Sequence, residues 1–501
     1  MIETEMVPEA SSPTDAGPAV AHFHVAVIGT GFAGLGMAIR LKQRGMDDFV
    51  VLERAADLGG TWRDNTYPGC QCDVPSHLYS FSFAPKPGWS RTFSRQPEIW
   101  DYLRDCAHRH GILPHIRFRH EVLEAAWDDA ARLWRIETSG GACTARFLVA
   151  GMGGLSEPAI PDLPGLSTFA GTAFHSAAWD HGHDLAGRRV AVIGTGASAI
   201  QFVPLIQPEV ARLHLYQRTP PWVLPHHDRE VPTAERRLFA LLPLGQRLAR
   251  IAIYLGREGF LPFFTHRALS FLPERIARRH LARQVPDPAL RARLTPGYAV
   301  GCKRILLSND YYPALVQPNV EVVGEGIREV RPGSIVSADG TEREVDTIIF
   351  ATGFQVVDMP AARRIRGRGG RTLEEAWEGS PRAYLGTTTP GFPNLFLMLG
   401  PNTGLGHTSV VLMIECQIDY ILSCLDVLAR RRLLTAEVLP EAEAAYNRRV
   451  QARMRGTVWT TGGCASWYLD RTGRNTTLWP GSTLAFRRLT RRFDPRAYAL
   501  A

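Results

Sequence analysis

Two charged residues occupy equivalent positions in two similar stretches of the sequence. Glu53 lies 24 positions after Gly29, the first glycine of a G-x-G-x-x-G turn. Arg218 lies 24 positions after Gly194, the first glycine of a G-x-G-x-x-A turn. A carboxylate at this position binds a ribose 2′-hydroxyl, whereas a guanidinium accommodates a 2′-phosphate. The sequence therefore predicts two different dinucleotide sites, with FAD or NAD in the first and NADP in the second.

The residues around each turn have the pattern of a strand, a helix and a second strand. An apolar run at 23–28 leads into Gly29, which permits the tight turn. Gly31 lets the backbone approach a pyrophosphate, and Gly34 lets the helix and the strand pack closely. The helix N-terminus then offers free N–H groups and the positive end of its dipole to phosphate. The run at 190–193 begins the same pattern again.

Composition is that of an ordinary globular protein. The chain has 501 residues, a net charge of +8 and 45% apolar residues, enough for two or three domains. The basic balance suits binding of two polyphosphate cofactors and gives no reason to expect a nucleic-acid partner. No run of about 18 apolar residues exists, so no transmembrane segment is predicted. Residues 1–21 are predicted to be a disordered tail, not a signal peptide.

The eight cysteines form no C-x-x-C motif and no zinc-ligand spacing. They are interpreted as reduced thiols of a cytoplasmic protein. The histidines at 181, 183, 226 and 227 have no carboxylate or cysteine at ligand spacing. No metal site is predicted from them.

Distant segments are predicted to build one domain. The apolar strands at 23–29, 146–150 and 394–399 look like one sheet interrupted by an inserted domain. The predicted fold is α/β, with two Rossmann-like dinucleotide-binding domains, the second inserted in the first, and a helical insertion. The boundaries are 22–157 for the first part of the FAD-binding domain, 158–353 for the NADP-binding domain, about 225–296 for the helical insertion within it, and 354–501 for the second part of the FAD-binding domain.

The insertion is rich in arginine and leucine. A basic amphipathic stretch can lie on a membrane, but a helical insertion with a solvated face is the commoner case. Peripheral membrane contact is therefore not expected. The segment 459–488, dense in Trp, Tyr, Gly and Thr, is predicted to be loop and strand.

Two longer patterns resemble a known family. They are G-G-x-W-x-x-x-x-Y-P-G-x-x-x-D over residues 59–73 and F-x-G-x-x-x-H-x-x-x-W-D over residues 169–180. With the two glycine-rich turns and Ala-Thr-Gly at 351–353, they resemble type I Baeyer–Villiger monooxygenases of the flavin-containing monooxygenase superfamily. The resemblance runs from about residue 22 to 488 and implies FAD in the first unit, NADPH in the second and O₂ as co-substrate.

The resemblance also implies roles for individual residues. Arg304 matches the active-site arginine, and Asp73 matches the aspartate that contacts it. Lys303 matches the lysine that holds the NADP 2′-phosphate. Trp467 resembles the tryptophan of a mobile loop that closes over NADP. His175 resembles a linker histidine that couples domain motion to turnover.

Around these residues the predicted cofactor-binding sets are larger. For the first unit they are Gly29, Gly31, Phe32, Ala33, Gly34, Glu53, Gly60, Thr61, Trp62, Tyr67, Gln71, Cys72, Asp73, Tyr79 and Val122. For the second unit they are Gly194, Thr195, Gly196, Ala197, Ser198, Ala199, Arg218, Thr219, Lys303, Arg304 and Trp467. On local sequence alone, a surface arginine is the favoured interpretation of Arg304, and Asp73 could be a loop cap. The stretch Arg63-Asp64-Asn65 departs from the aromatic residues common in the family, which predicts a differently shaped substrate pocket.

The implied chemistry needs a fixed positive charge. Insertion of oxygen next to a ketone carbonyl, giving an ester or lactone, proceeds through the anion of a C4a-peroxyflavin. A guanidinium keeps its proton and can stabilise that anion. Unit charges about 4 Å apart interact by roughly 4 kcal/mol at an effective dielectric near 20. Asp73 would hold Arg304 in place and offset the cost of burying it.

Three other functions fit parts of the pattern. A heteroatom monooxygenase would oxidise amines or sulfides and depend less on Arg304. A flavin disulfide reductase would need a redox-active cysteine pair beside the flavin, and Cys70 and Cys72 are too close in sequence for an unstrained disulfide. A non-catalytic flavin redox sensor would need neither Arg218 nor Lys303. The sequence makes no prediction of the natural ketone or of the oligomeric state.

Overall fold

A computed structural model of the protein describes residues 20–357 and 359–501. Residues 1–19 of the predicted disordered tail lie outside this range, and Ala21 already belongs to the first strand.

The strands are β1 Ala21–Ile28, β2 Phe49–Leu52, β3 Ile116–Arg117, β4 Val122–Asp128, β5 Leu133–Thr138, β6 Gly141–Ala150, β7 Thr172–His175, β8 Arg189–Ile193, β9 Arg212–Tyr216, β10 Val223–Leu224, β11 Leu306–Leu307, β12 Val320–Val323, β13 Ile327–Arg331, β14 Ser334–Ser337, β15 Glu342–Glu344, β16 Thr347–Phe350, β17 Ile365–Arg366, β18 Leu395–Leu397, β19 Ala436–Val438 and β20 Tyr498–Leu500. The α-helices are α1 Phe32–Gln43, α2 Thr61–Asp64, α3 Gln96–Arg109, α4 Ala199–Ile206, α5 Thr233–Leu241, α6 Pro243–Glu258, α7 Leu261–Thr265, α8 Phe271–Gln284, α9 Pro288–Arg293, α10 Tyr311–Leu315, α11 Leu373–Trp377, α12 Val410–Arg431, α13 Pro440–Met454, α14 Val458–Thr461 and α15 Thr483–Thr490.

The first sheet joins segments from both ends of the chain. Its order is β17-β4-β5-β6-β1-β2-β3, and β18 pairs with β6. Strands β2, β1, β6 and β18 pair in parallel with one another, with Val27 opposite Val51 and Val149. Their central residues are buried on both faces, as in a parallel sheet covered by helices. The pairing of β18 with β6 and of β6 with β1 confirms the prediction of one sheet from distant segments.

The second sheet lies between residues 172 and 350. It has five strands in the order β12-β9-β8-β16-β7, and every neighbouring pair is parallel. Where the chain enters and leaves this part, Pro158 and Phe354 face each other in an isolated antiparallel bridge. The structure thus has two Rossmann-like sheets, the second inserted in the sequence of the first. This is the fold class that the sequence predicts.

Helices α5 to α9 occupy 233–293, within the stretch that the sequence assigned to a helical insertion. In the parts of the chain that the structure describes, no single helix is long and apolar enough to cross a membrane. Helix α5 and the segment Pro243–Thr265 reach that length and composition together, but they are bent by 112° at their junction.

The segment 459–488 is largely loop, as the sequence predicts, but the predicted strand is absent apart from isolated bridges. It contains the end of α14 and most of α15 instead. Ser482 caps α15 by accepting a hydrogen bond from the Ala485 N–H, and Phe486 is buried against Trp479. A polar cap and one buried aromatic ring suffice for a two-turn helix, and the surrounding Trp, Gly and Thr conceal that signal.

Candidate active site

The first glycine-rich turn forms a cradle of bare backbone at the N-terminus of α1. A Cβ on Gly34 would lie 1.8 Å from the carbonyl oxygen of Gly29. A Cβ on Gly60 would lie 3.1 Å from the Cα of Gly31. Gly29 has a φ of 88°, in the left-handed region. Since side chains are excluded here while the helix N–H groups remain, this turn fits the pyrophosphate of FAD.

Glu53 directly follows β2 beside this turn and is buried. One carboxylate oxygen accepts hydrogen bonds from the N–H and the hydroxyl of Thr30. The other accepts from the Ala55 N–H at 2.9 Å and lies 2.9 Å from Nη1 of Arg63. Burial raises the pKa of Glu53, but the Thr30 hydroxyl and the other donors hold it below its usual value. Four donors therefore already occupy the Glu53 carboxylate, and a ribose diol would have to replace one of them.

Arg63 is thus placed at the end of β2, where the nucleotide ribose is expected. The sequence suggested instead that its stretch shapes the substrate pocket. The His120 N–H donates to the carbonyl oxygen of Glu53. Val122, two residues later, therefore also lies near this strand end.

The second turn joins β8 to α4. A Cβ on Gly194 would lie 2.4 Å from the carbonyl oxygen of Ala351, so the turn lies against the Ala-Thr-Gly segment that follows β16. Residues Thr195, Gly196, Ala197 and Ser198 complete it, and Ala199 begins α4.

Two cations meet beyond the end of β9. Arg218 is exposed. Lys303 donates a hydrogen bond of 2.6 Å to the hydroxyl of Thr219. Burial and the charge of Arg218 lower the pKa of Lys303. Two positive charges that destabilise each other are suited to an anionic ligand such as the 2′-phosphate of NADP.

The loop that follows α2 connects the two units. The Tyr67 hydroxyl donates to Oε1 of Gln201 at 3.0 Å, and the Gln201 amide nitrogen donates to the Gln71 carbonyl at 3.2 Å. A Cβ on Gly69, which has a φ of 77°, would lie 2.8 Å from the Gln201 carbonyl oxygen. Because Gln201 belongs to α4, this loop holds Asp73 in a position set by both units.

Arg304 and Asp73 form a bidentate pair. Nε of Arg304 donates to Oδ2 at 2.7 Å, and Nη2 donates to Oδ1 at 2.7 Å. Burial raises the pKa of Asp73, but the Arg304 guanidinium holds it below its usual value. Asp73 in turn raises the pKa of Arg304 further. Nη1 of Arg304 makes no hydrogen bond to any described residue, so a donor on a fixed cation is left for an anionic oxygen.

Two residues beside this pair were missed by the sequence analysis. Tyr468 is buried, and burial raises its pKa to about 12, although Arg304 opposes the shift. Burial lowers the pKa of Arg257, from α6, although the charge of Asp73 opposes the shift. Trp467 is 45% exposed, with its ring 4.4 Å from that of Tyr468. Tyr468 could have been found as the neighbour of Trp467, whereas nothing in the sequence linked Arg257 to Asp73.

Other predicted site residues lie around this pair or at the domain junction. The Trp62 indole donates to the Tyr79 hydroxyl at 3.2 Å, and burial and nearby Cys72 raise the pKa of Tyr79. Phe32 packs edge-on against Tyr79 with ring centroids 5.0 Å apart. His175 ends β7 and is buried, with its ring 5.7 Å from that of Phe354.

One disulfide corrects the prediction that all eight cysteines are reduced thiols. Cys302 and Cys464 are bonded, with their Cα atoms 6.1 Å apart. The other six cysteines are free and buried. The bonded pair is separated by 162 positions, which gives no recognisable spacing. Since Cys302 directly precedes Lys303 and Arg304, the bond ties the Trp467 loop to the segment that carries both cations.

We expect Cys464→Ser to destabilise the protein by about 2–4 kcal/mol, because a bond closing a long loop restricts the unfolded chain. The measurement is urea unfolding with and without dithiothreitol. Reductant should lower the midpoint of the wild type but leave that of Cys464→Ser unchanged. Equal wild-type midpoints in both conditions would show that the bond contributes nothing.

Known proteins resemble the chain over its length. A family model described as pyridine nucleotide-disulphide oxidoreductase matches residues 26–243. A Baeyer–Villiger monooxygenase of Streptomyces coelicolor is 56% identical over 482 residues, which cover 95% of this chain and 92% of the relative.

Solved structures agree with that relative. Cyclohexanone monooxygenase from Rhodococcus sp. Phi1, bound to NADP⁺, matches with a TM-score of 0.86 and 31% identity, covering 96% of this chain and 99% of that one. OTEMO in complex with FAD and NADP matches with a TM-score of 0.86 and 26% identity over 96% of this chain and 99% of that chain. The identity to the Streptomyces enzyme, over nearly the whole of both chains, places this protein in the Baeyer–Villiger monooxygenase family.

Proposed function

We propose that the protein converts a ketone into an ester or lactone by inserting one atom of O₂ next to the carbonyl. FAD binds at the first glycine-rich turn, and NADPH binds at the second. The observation that carries the proposal is the bidentate pair of Arg304 and Asp73, set by the loop that contacts both units.

Bound FAD supplies the redox chemistry, taking up hydride from NADPH and activating O₂, while the protein positions and tunes it. Arg304 presents Nη1 to the negatively charged oxygen that attacks the ketone. Because a guanidinium keeps its proton, it stabilises this charge without neutralising it. Asp73 fixes the plane of the guanidinium through two hydrogen bonds, so the free donor points in one direction.

Neighbouring residues support that arrangement. Tyr468 has its pKa raised to about 12 by burial, so its hydroxyl stays protonated at neutral pH and remains a hydrogen-bond donor. Trp467 precedes it and is half exposed, which suits a side chain that covers bound nicotinamide. Arg218, Thr219 and Lys303 hold the 2′-phosphate.

The six free cysteines favour the cytoplasm as the proposed location, although the Cys302–Cys464 bond is of a kind that is rare there. Ketones are the proposed substrates, and oxidation of a sulfide at the same site would depend less on Arg304.

The test is isotope incorporation. The purified protein is incubated with NADPH and cyclohexanone under ¹⁸O₂, and the product is analysed by mass spectrometry. We expect one ¹⁸O atom in the ring position of the lactone, with the carbonyl oxygen unlabelled. A lactone whose ring oxygen is labelled from H₂¹⁸O, or sulfoxide formation from a sulfide with no lactone from any ketone, would contradict the proposal.

A further inference from the structure

Helix α6 has its apolar face on the outside. Leu244, Leu248, Ile251 and Leu255 are 68%, 58%, 51% and 61% exposed. At 3.6 residues per turn these four side chains lie within about 60° of one another around the helix axis. We call them the leucine face. A surface helix ordinarily turns such a stripe toward the core.

The inner face of α6 carries Ile253 and Tyr254, which pack against the core, beside polar side chains that bond to other segments. Gln246 is buried and donates to the Lys86 carbonyl at 2.8 Å. Arg250 donates to the His77 carbonyl and to the Ser80 hydroxyl. At the C-terminal end of the helix, Glu258 accepts from the Thr483 N–H at 3.2 Å. These contacts fix the rotation of the helix, so the exposure of the leucine face is not a matter of loose attachment.

The region around the leucine face concentrates exposed apolar surface. Of the 23 large apolar side chains that are exposed in the described residues, 12 lie between Leu238 and Ile276. Scattered exposed leucines are ordinary, but such a concentration in one stretch of the chain, with four of them on one helix face, is typical of an interaction site.

The same region carries nearly all of the protein's net charge. Residues 233–284 contain ten arginines and three glutamates, while the whole chain has a net charge of +8. Arg237 and Arg247, on either side of the start of the leucine face, are exposed and form no ion pair with any residue that the structure describes. A second copy of this chain would bring the same positive charge against it, which disfavours self-association.

We propose that the leucine face docks on an anionic lipid bilayer, with α6 lying in the plane of the interface. An exposed apolar stripe flanked by arginines inserts between lipid headgroups, and the arginines pair with anionic phosphates. This occupant accounts for both the exposed leucines and the excess of positive charge. The sequence pattern alone favoured a solvated insertion, because the direction of the apolar stripe is visible only in the fold.

The test is sedimentation of the full-length holoenzyme with vesicles of phosphatidylcholine containing phosphatidylglycerol, compared with vesicles of phosphatidylcholine alone. We expect binding to the anionic vesicles, weakened by salt. Leu248→Gln combined with Leu255→Gln should weaken binding by about tenfold for each leucine replaced. Arg237→Gln with Arg247→Gln should weaken it about fivefold for each arginine.

Leu123→Gln is the matched control, since Leu123 is a 51% exposed leucine on β4 of the first sheet. It should bind vesicles like the wild type, and all variants should oxidise cyclohexanone in solution like the wild type. Three outcomes would overturn the proposal: no binding to anionic vesicles at low salt, equal binding by the leucine double variant, or a wild-type dimer in sedimentation velocity that the leucine double variant dissociates while vesicle binding is unchanged.

Discussion

Arg304→Ala is expected to lower the rate of lactone formation about a thousandfold while NADPH still reduces the bound flavin at the wild-type rate. The expected loss follows from one charge interaction of about 4 kcal/mol at about 4 Å and an effective dielectric near 20. NADPH consumption should continue, with its electrons released as hydrogen peroxide instead of product. The measurement is the ratio of lactone formed to NADPH consumed, with hydrogen peroxide quantified in parallel.

Two further variants separate charge from orientation. Arg304→Lys keeps a positive charge but cannot form the two-point contact with Asp73, so we expect a smaller loss of lactone. Asp73→Asn keeps a polar partner but removes the charge that holds the guanidinium. Its loss of lactone should lie between those of Arg304→Lys and Arg304→Ala. A wild-type ratio of lactone to NADPH in Arg304→Ala would exclude the assigned role.

Arg218→Ala and Lys303→Ala are expected to remove the preference for NADPH over NADH. Hydrogen bonds to a charged group contribute about 1.5–3 kcal/mol each, which corresponds to a loss of roughly 10–100-fold in kcat/KM for NADPH. The kcat/KM for NADH should change little, because NADH has no 2′-phosphate. Steady-state kinetics with both reductants is the measurement.

Arg212→Ala is the control for general charge effects. Arg212 begins β9, the strand that Arg218 follows, and its Nη1 donates to the Pro318 carbonyl at 3.0 Å. It should leave the preference unchanged. If Arg218→Ala kept the wild-type ratio of NADPH to NADH activity, the second site would not read the phosphate through this residue.

The sequence was sufficient for the parts of the fold that depend on local backbone rules. Gly29 and Gly194 both adopt positive φ, and only glycine does so without cost. The strand at 394–399 was recognisable because a parallel strand buried on both faces is a short continuous apolar run. Arg304 and Asp73, 231 positions apart, were brought together through the family resemblance and not through any spacing.

Other features depend on contacts that no local pattern encodes. The Cys302–Cys464 bond joins positions 162 apart. Arg63 reaches Glu53 only because α2 folds back over the end of β2. For α6, the spacing of the apolar residues alone identifies an amphipathic helix. The side of the helix that faces solvent is decided by the polar partners of Gln246 and Arg250.

The central claim is that one chain uses NADPH to reduce FAD and then inserts oxygen into a ketone beside Arg304. The most direct test of this claim is a single turnover. Purified protein is titrated without air with one equivalent of NADPH, then mixed with air-saturated buffer containing cyclohexanone. We expect a yellow protein that is bleached by NADPH much faster than by NADH and then yields one lactone per flavin. A colourless protein, bleaching at equal rates by both reductants, or reoxidation without lactone would contradict the claim.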